Sequence, residues 1–265
     1  MRLHCPDLEG KVALVTGSTS GIGRAAAALL AANGATVYVN GRTEAKVAEV
    51  VKELTEENGS AGVFEVGAAD VSERDQVKAL FSKIDAEQGR IDIVINNPDF
   101  MTRLSFFEDE VAEEDWYPTV NTKFWGTVYC CHEAVKRMIP RHSGAIVNVA
   151  GGSAHEGVFG GCTHGGAQGG VVTFTMSLAK EMIRHGIRAN VVSPHIVDTE
   201  ILRHVGSTAT PEMTKLTTAS WDAEAPIDTA TPEQVAPTYV FLASDAASYI
   251  TGQVLQVNGG RIICR

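Results

Sequence analysis

The stretch TGSTSGIG at residues 16–23 joins a short apolar run, KVALVT at residues 11–16, to an Ala- and Leu-rich segment at residues 22–33. The apolar run predicts a buried strand, and the segment after the glycines predicts a helix. Glycines let the backbone approach a pyrophosphate closely, and a helix that starts there directs free N–H groups and its positive dipole end at the phosphates. The position of the glycines between a strand and a helix therefore predicts a dinucleotide-binding turn.

Strand and helix patterns alternate along the rest of the chain. Further strands are predicted at residues 36–39, 63–66, 91–95, 145–149, 187–192 and 253–257, and amphipathic helices at residues 44–57 and 73–87. This alternation predicts an α/β protein with a three-layer Rossmann fold, a doubly wound parallel sheet with helices on both faces. Since no linker interrupts the pattern, residues 1–265 are predicted to form a single domain. Ligands of such sheets bind outside the carboxyl ends of the strands.

Composition narrows the possible partners. The formal net charge is −10 and no basic run is present, which argues against a nucleic-acid or membrane-surface partner. No apolar run approaches the roughly 20 residues of a membrane-spanning helix. Five cysteines, an odd number, favour reduced thiols in a cytoplasmic protein over a disulfide framework. Neither these cysteines nor the histidines have the spacing of metal ligands, so no metal site is predicted.

The turn at residues 16–23 has the TGxxxGxG spacing of the short-chain dehydrogenase/reductase family, and the chain resembles that family over nearly its whole length. The resemblance implies a nicotinamide dinucleotide cofactor, a small-molecule substrate and a homodimer or homotetramer. It also implies a set of cofactor-binding positions that follow one another in family order. These positions are Gly17, Ser18, Thr19, Ser20, Gly21, Ile22, Gly23, Asp70, Val71, Asn96, Asn97, Gln168, Pro194 and Thr199.

Arg42 favours NADP(H) over NAD(H). An acidic residue at the end of the second strand would hydrogen-bond the ribose 2′-hydroxyl of NAD, but this chain has VNGR at residues 39–42. A guanidinium group suits a 2′-phosphate because it forms bidentate, charge-assisted hydrogen bonds. The alternative is an ordinary surface arginine in a loop.

The catalytic positions of the family carry other residues in this chain. The family has a Ser after the fifth strand, a Tyr 13 residues later and a Lys four residues after the Tyr. The strand at residues 144–149 aligns without gaps, and the same spacings then fall on Gly151, His164 and Gln168. The chain contains no YxxxK sequence. The resemblance therefore implies an atypical active site.

Several side chains are candidates for the missing proton donor. His164 is the first, because imidazole titrates near neutrality without the help that a phenol needs. His195 is expected near the nicotinamide, and Asp99 and His155 are more distant candidates. The resemblance also gives Asn121 a structural or catalytic position on a long helix. Lys123, two residues further on, faces another side of that helix and is not expected to replace the lost Lys.

Three functions fit these observations. The first is an NADP(H)-dependent oxidoreductase that acts on a carbonyl, an alcohol or an activated alkene with an atypical proton donor. The second is a non-redox isomerase, lyase or cyclase that retains the cofactor, and the third is a catalytically silent cofactor-binding subunit or sensor. Residues 199–228 are expected to cover an apolar substrate. The glycines of HGGAQGG at residues 164–170 leave open whether a regular helix begins there.

Overall fold

The computed structural model describes residues 3–59, 62–101, 114, 116–203 and 229–263. These residues contain one parallel sheet with the order β3-β2-β1-β4-β5-β6-β7. The strands are β1 (Val12–Thr16), β2 (Thr36–Val39), β3 (Val63–Val66), β4 (Ile93–Asn96), β5 (Gly144–Val149), β6 (Ile187–Pro194) and β7 (Val254–Val257). The predicted doubly wound Rossmann fold is confirmed, and each predicted strand is present within two residues of its predicted bounds.

Helices cover both faces of this sheet. They are α1 (Gly21–Ala31), α2 (Glu44–Asn58), α3 (Arg74–Gln88), α4 (Tyr117–Val120), α5 (Gly126–Met138), α6 (Ser153–Glu156), α7 (Cys162–Met182) and α8 (Pro232–Ala243). A π-helical turn at Asn121–Trp125 joins α4 to α5. None of the helices in the described residues is long and apolar enough to cross a bilayer.

The two faces of β1 show how the sheet forms two cores. Ala13 and Val15 belong to a buried cluster that includes apolar side chains of α1, α2 and α8. Val12 and Leu14 point the other way, into a cluster with α3, α5 and α7. Successive side chains of a strand alternate between faces, so a continuous apolar run is needed where both faces are covered.

The glycine-rich segment is a regular part of α7, which the sequence left open. Two of its glycines have a packing reason: a Cβ at Gly170 would lie 3.0 Å from a ring carbon of Phe124, and one at Gly165 would lie 3.1 Å from the carbonyl oxygen of Ser153. Each Gly costs about 1 kcal/mol in a helix interior relative to Ala. In α7 these glycines allow the π-helical turn, at Phe124, and α6, at Ser153, to pack closely against the helix. Most of the predicted substrate cover, residues 204–228, lies outside the described residues.

Candidate cofactor and catalytic site

A pocket of about 450 Å³ lies at the carboxyl ends of the central strands. Most of the residues predicted to bind a cofactor line it, although they come from many separate turns. They are Gly17, Thr19, Ser20, Gly21, Ile22, Arg42, Asp70, Val71, Asn97, Gln168, Pro194 and Thr199. The fold therefore brings predicted cofactor residues, from the turn after β1 to the segment after β6, to one cavity.

The glycine turn at one end of the pocket is closely packed, and the side chain of Asn97 hydrogen-bonds its backbone. A Cβ at Gly23 would lie 2.5 Å from the carbonyl oxygen of Gly17 and 2.8 Å from Nδ2 of Asn97. Asn97 donates from Nδ2 to that same carbonyl (3.3 Å), and Tyr239 donates its hydroxyl to Oδ1 of Asn97 (3.1 Å). Gly17 and Gly21 have φ values of 60° and 54°, which favour glycine. The turn is thus a closely packed stretch of backbone at the pocket, beside the start of α1.

Three predicted cofactor residues lie behind the pocket wall instead of lining it: Ser18, Gly23 and Asn96. The hydroxyl of Ser18 is buried, donates to the carbonyl of Val15 (2.6 Å) and accepts from the backbone N–H of Asn40 (2.9 Å). Asn96 is also buried and donates from Nδ2 to Oδ1 of Asn148 (2.8 Å). The side chains of Ser18 and Asn96 therefore support the surrounding backbone without lining the pocket.

Arg42 lines the pocket beside the glycine turn, and its side chain is exposed. Its neighbour Gly41 permits close approach, because a Cβ there would lie 2.6 Å from Cγ2 of Thr19. In the described part of the chain no carboxylate pairs with the Arg42 guanidinium. The group is therefore available to an anion in the pocket.

The far end of the pocket contains a hydrogen-bonded cluster centred on His164. This side chain is 6% exposed and occupies the first turn of α7. Its Nε2 lies 3.2 Å from Oδ1 of Asp99 and 3.0 Å from Nε2 of Gln168, one helical turn later. Its Nδ1 lies 3.3 Å from Oγ of Ser153, the first residue of α6. Both ring nitrogens are thus engaged, one by a carboxylate and an amide, the other by a hydroxyl.

The protonation state of the ring decides which of these bonds form. A neutral ring protonated at Nδ1 donates to Ser153 and accepts at Nε2 from Gln168. A protonated ring carries a second N–H at Nε2, which donates to Asp99 instead. The geometry therefore provides partners for both states of His164, which is what a group that exchanges a proton needs.

Asp99 and Lys123 place two opposite charges beside this ring. Burial would raise the pKa of the Asp99 carboxyl, but the nearby Lys123 and His164 bring that pKa below its usual range. Lys123 is 1% exposed, and its Nζ donates to the carbonyl oxygen of Pro98 (3.1 Å). Burial lowers the pKa of Lys123, and the charge of Asp99 opposes that shift.

Lys123 lines the pocket, whereas Asn121 is exposed and does not. Both lie in the π-helical turn Asn121–Trp125. Residues two apart on a helix point to opposite sides, so only one of the pair can face the pocket. Lys123 therefore faces another side of the helix than Asn121, as predicted, and that side is the one that borders the pocket, whereas Asn121 does not line it.

The other candidate histidines are held by separate partners. His195 lines the pocket, and its Nε2 lies 2.7 Å from Oε1 of Glu156. Nε2 of His155 lies 3.1 Å from the hydroxyl of Ser193, outside the residues that line the pocket, and burial lowers the pKa of His155. Neither ring contacts His164 or Asp99 in the described structure.

Sequence reasoning did not identify Ser153 as a candidate, and it did not place Lys123 at the pocket. Ser153 lies two residues after Gly151, where the family spacing directs attention, and its contact with His164 depends on the short helix α6. A hydroxyl so near the expected serine position was the available signal. For Lys123, the available signal was a lysine followed directly by two aromatic residues, a phenylalanine and a tryptophan.

Comparison with known proteins agrees with this architecture. A protein-family model described as Enoyl-(Acyl carrier protein) reductase matches residues 17–261. The chain belongs to the short-chain dehydrogenase/reductase family. The family match spans both ends of the pocket, from the glycine turn to the segment beyond β7. The chain is thus oxidoreductase-like in family and fold.

Relatives within the family carry different names. The chain is 35% identical to a 3-oxoacyl-[acyl-carrier-protein] reductase of Thermotoga maritima, covering 97% of this chain and 99% of the relative. It is 33% identical to a 3beta-hydroxysteroid dehydrogenase of Mediterraneibacter gnavus, covering 95% of each. A solved structure described as a putative gluconate dehydrogenase from Agrobacterium tumefaciens superposes with a TM-score of 0.86 at 31% identity, covering 99% of this chain and 100% of that one.

Proposed function

We propose that this protein is an NADP(H)-dependent oxidoreductase in which His164, and not the family's Tyr, supplies the proton that reaches the substrate by way of the Ser153 hydroxyl. The observation that carries the proposal is the placement of His164 in the pocket, between the Asp99 carboxylate and the Ser153 hydroxyl. In this proposal Gly151, His164 and Gln168 replace the family's Ser, Tyr and Lys. Substrates would be a carbonyl compound, an alcohol or an activated alkene.

The residues of the pocket fit the cofactor. The backbone of the turn at residues 16–23 would hold the pyrophosphate, and the guanidinium of Arg42, which pairs with no carboxylate of the described residues, would hold a 2′-phosphate. Gln168 is 1% exposed and its Oε1 has no hydrogen-bond partner among the described residues. That acceptor would hold a ribose hydroxyl, as the resemblance implies for this position. When bound, the cofactor supplies or accepts the hydride.

The chain's own groups supply the proton. In the reducing direction, Ser153 Oγ gives its proton to the substrate oxygen and takes the Nδ1 proton of His164. The ionised Asp99 orients the ring through Nε2 and stabilises its charge before the proton leaves. Imidazole is suited to this task near neutral pH, so the lysine that assists a tyrosine is not required. Phe100 and Met101 line the same pocket and would contact apolar parts of a substrate.

The test is steady-state reduction of a carbonyl panel with NADPH, using a 3-oxoacyl thioester, a 3-ketosteroid and a ketogluconate as probes. His164→Ala should lower kcat by about 100- to 10,000-fold, the usual contribution of a positioned acid–base group. His155→Ala is the matched control, because that ring lies outside the pocket lining. Equal turnover by His164→Ala and wild type would contradict the role of His164.

A second candidate function is a cofactor-binding subunit without turnover. The observation that favours it is the burial of His164, whose two ring nitrogens are already bonded within the protein. This function requires tight NADPH binding, no hydride transfer to any member of the panel, and no effect of His164→Ala on the NADPH dissociation constant. Turnover with one probe would exclude it.

A further inference from the structure

Lys123 is a buried cation at the wall of the pocket. Its side chain is among the largest of those that are less than 2% exposed, and it comes from the π-helical turn Asn121–Trp125. Such turns insert an extra residue into a helix and are frequent at functional sites. An ammonium group placed there without compensation would be costly, because burial disfavours the charged form.

The groups that compensate that charge belong to two adjacent residues: one carbonyl oxygen accepts a hydrogen bond, and one carboxylate acts through its charge alone. The carbonyl oxygen of Pro98 accepts from Nζ at 3.1 Å, and the carboxylate of Asp99 attracts the ammonium charge. Asp99 in turn contacts His164 at Nε2. The charged and titratable groups that face Asp99 are Lys123 from the π-helical turn, His164 from α7 and Tyr239 from α8. Among these, Lys123 is the side chain that is positively charged in its protonated form without titrating in the neutral range when unperturbed, and Asp99 favours that form.

We propose that Lys123 is a positioning residue: its ammonium group fixes the Pro98–Asp99 peptide and supplies the counter-charge that keeps Asp99 ionised beside His164. The proposal rests on the proposed function only in naming His164 as the proton donor. It assigns the cation beside Asp99 to the helix turn before α5, whereas α7 carries Gln168. Lys123 and Asp99 both line the pocket, where His164 and Gln168 also contact Asp99.

Because the charge of Lys123 lowers the pKa of Asp99, loss of that charge should raise it. A carboxyl with a lowered pKa keeps its charge until the pH falls through the lowered value. Removal of the Lys123 charge raises the pKa of Asp99, so the carboxylate becomes protonated at a higher pH than in the wild type. A nearby opposite charge typically shifts a carboxyl by about 1 to 3 pH units. Protonated Asp99 no longer attracts the charged form of His164.

The experiment is a carbon-13 NMR titration of the aspartate carboxyl groups in the full-length protein, with Asp99→Asn used to assign the signal. In Lys123→Gln and Lys123→Met, the Asp99 midpoint should rise by about 1 pH unit or more. Lys123→Arg retains the charge and is the control, with a midpoint close to that of the wild type. Gln also retains a donor for the Pro98 carbonyl, which provides a foldable variant if Met destabilises the site.

An unchanged Asp99 midpoint in Lys123→Gln would overturn the proposal. The titration needs no substrate, so it separates this inference from the proposed function. A shifted midpoint in a protein without turnover would contradict the oxidoreductase and leave the role of Lys123 intact. Where turnover is present, the acid limb of kcat/KM should move to higher pH in Lys123→Gln and stay in place in Lys123→Arg.

Discussion

The two ends of the pocket are built from different materials. At the proposed phosphate-binding end, residues 16–23 form a closely packed turn whose shape depends on glycines at positions with no space for a Cβ. At the proposed proton-transfer end, the cluster of Asp99, Lys123, Ser153, His164 and Gln168 presents side chains held by hydrogen bonds and opposite charges. Under the proposed function, one fold retains a cofactor site while the residues of its reaction change. A backbone cradle tolerates few substitutions, whereas a side-chain cluster can be rebuilt by a few.

Asp99→Asn should give the largest effect and should be confined to the proton-transfer end. The amide cannot stabilise the charged ring at Nε2, so we expect kcat to fall by about 1,000-fold. The NADPH dissociation constant should change less than about twofold, because the Asp99 carboxylate bonds His164 and Gln168 and, among the described residues, no residue of the glycine turn. Stopped-flow turnover and fluorescence titration measure the two quantities. A parallel loss of NADPH affinity would show that the two ends are not independent.

Gly23→Ala should affect the phosphate-binding end. Its new Cβ would lie 2.5 Å from the carbonyl oxygen of Gly17, so backbone must move. We expect NADPH to bind about 100-fold more weakly, which corresponds to the usual cost of overpacking. The control is Gly166→Ala on α7, where no atom lies within 4 Å of the added Cβ. Retention of wild-type affinity by Gly23→Ala would contradict the role of a closely packed turn.

Arg42→Ala should give the smallest of the three effects and should discriminate between cofactors. Loss of a charge-assisted contact with a 2′-phosphate should weaken NADPH binding by about 10-fold and leave NADH binding nearly unchanged. Calorimetric titration with both cofactors measures the ratio. Arg184→Ala, which removes a surface arginine after α7, is the matched control. Equal weakening for both cofactors would show that Arg42 does not read the 2′-phosphate.

The phosphate-binding end could be predicted from sequence because its geometry is local. The residues from β1 through the glycine turn to α1 are contiguous, and glycine is needed where φ is positive or space is absent. The position of His164 could also be predicted, since it follows from a gap-free count of the residues after β5. In both cases, spacing along the chain determines spacing in the structure.

The partners of His164 could not be predicted in the same way. Lys123 faces the pocket because of the turn Asn121–Trp125, and a change in helical pitch leaves no pattern in a single sequence. The contact between Ser153 and His164 depends on where α6 places its first residue. Asp99 contacts His164 across 65 residues of sequence. Such long-range contacts arise from the packing of separate elements.

The most direct measurement is single-turnover hydride transfer by wild type and His164→Ala, each saturated with NADPH and mixed with the carbonyl probe that turns over fastest. The account predicts equal NADPH affinity and a loss of reduced-nicotinamide absorbance that is at least about 100-fold slower in His164→Ala. Equal single-turnover rates in the two proteins would contradict the account, and so would wild-type protein that binds NADPH and oxidises none of it.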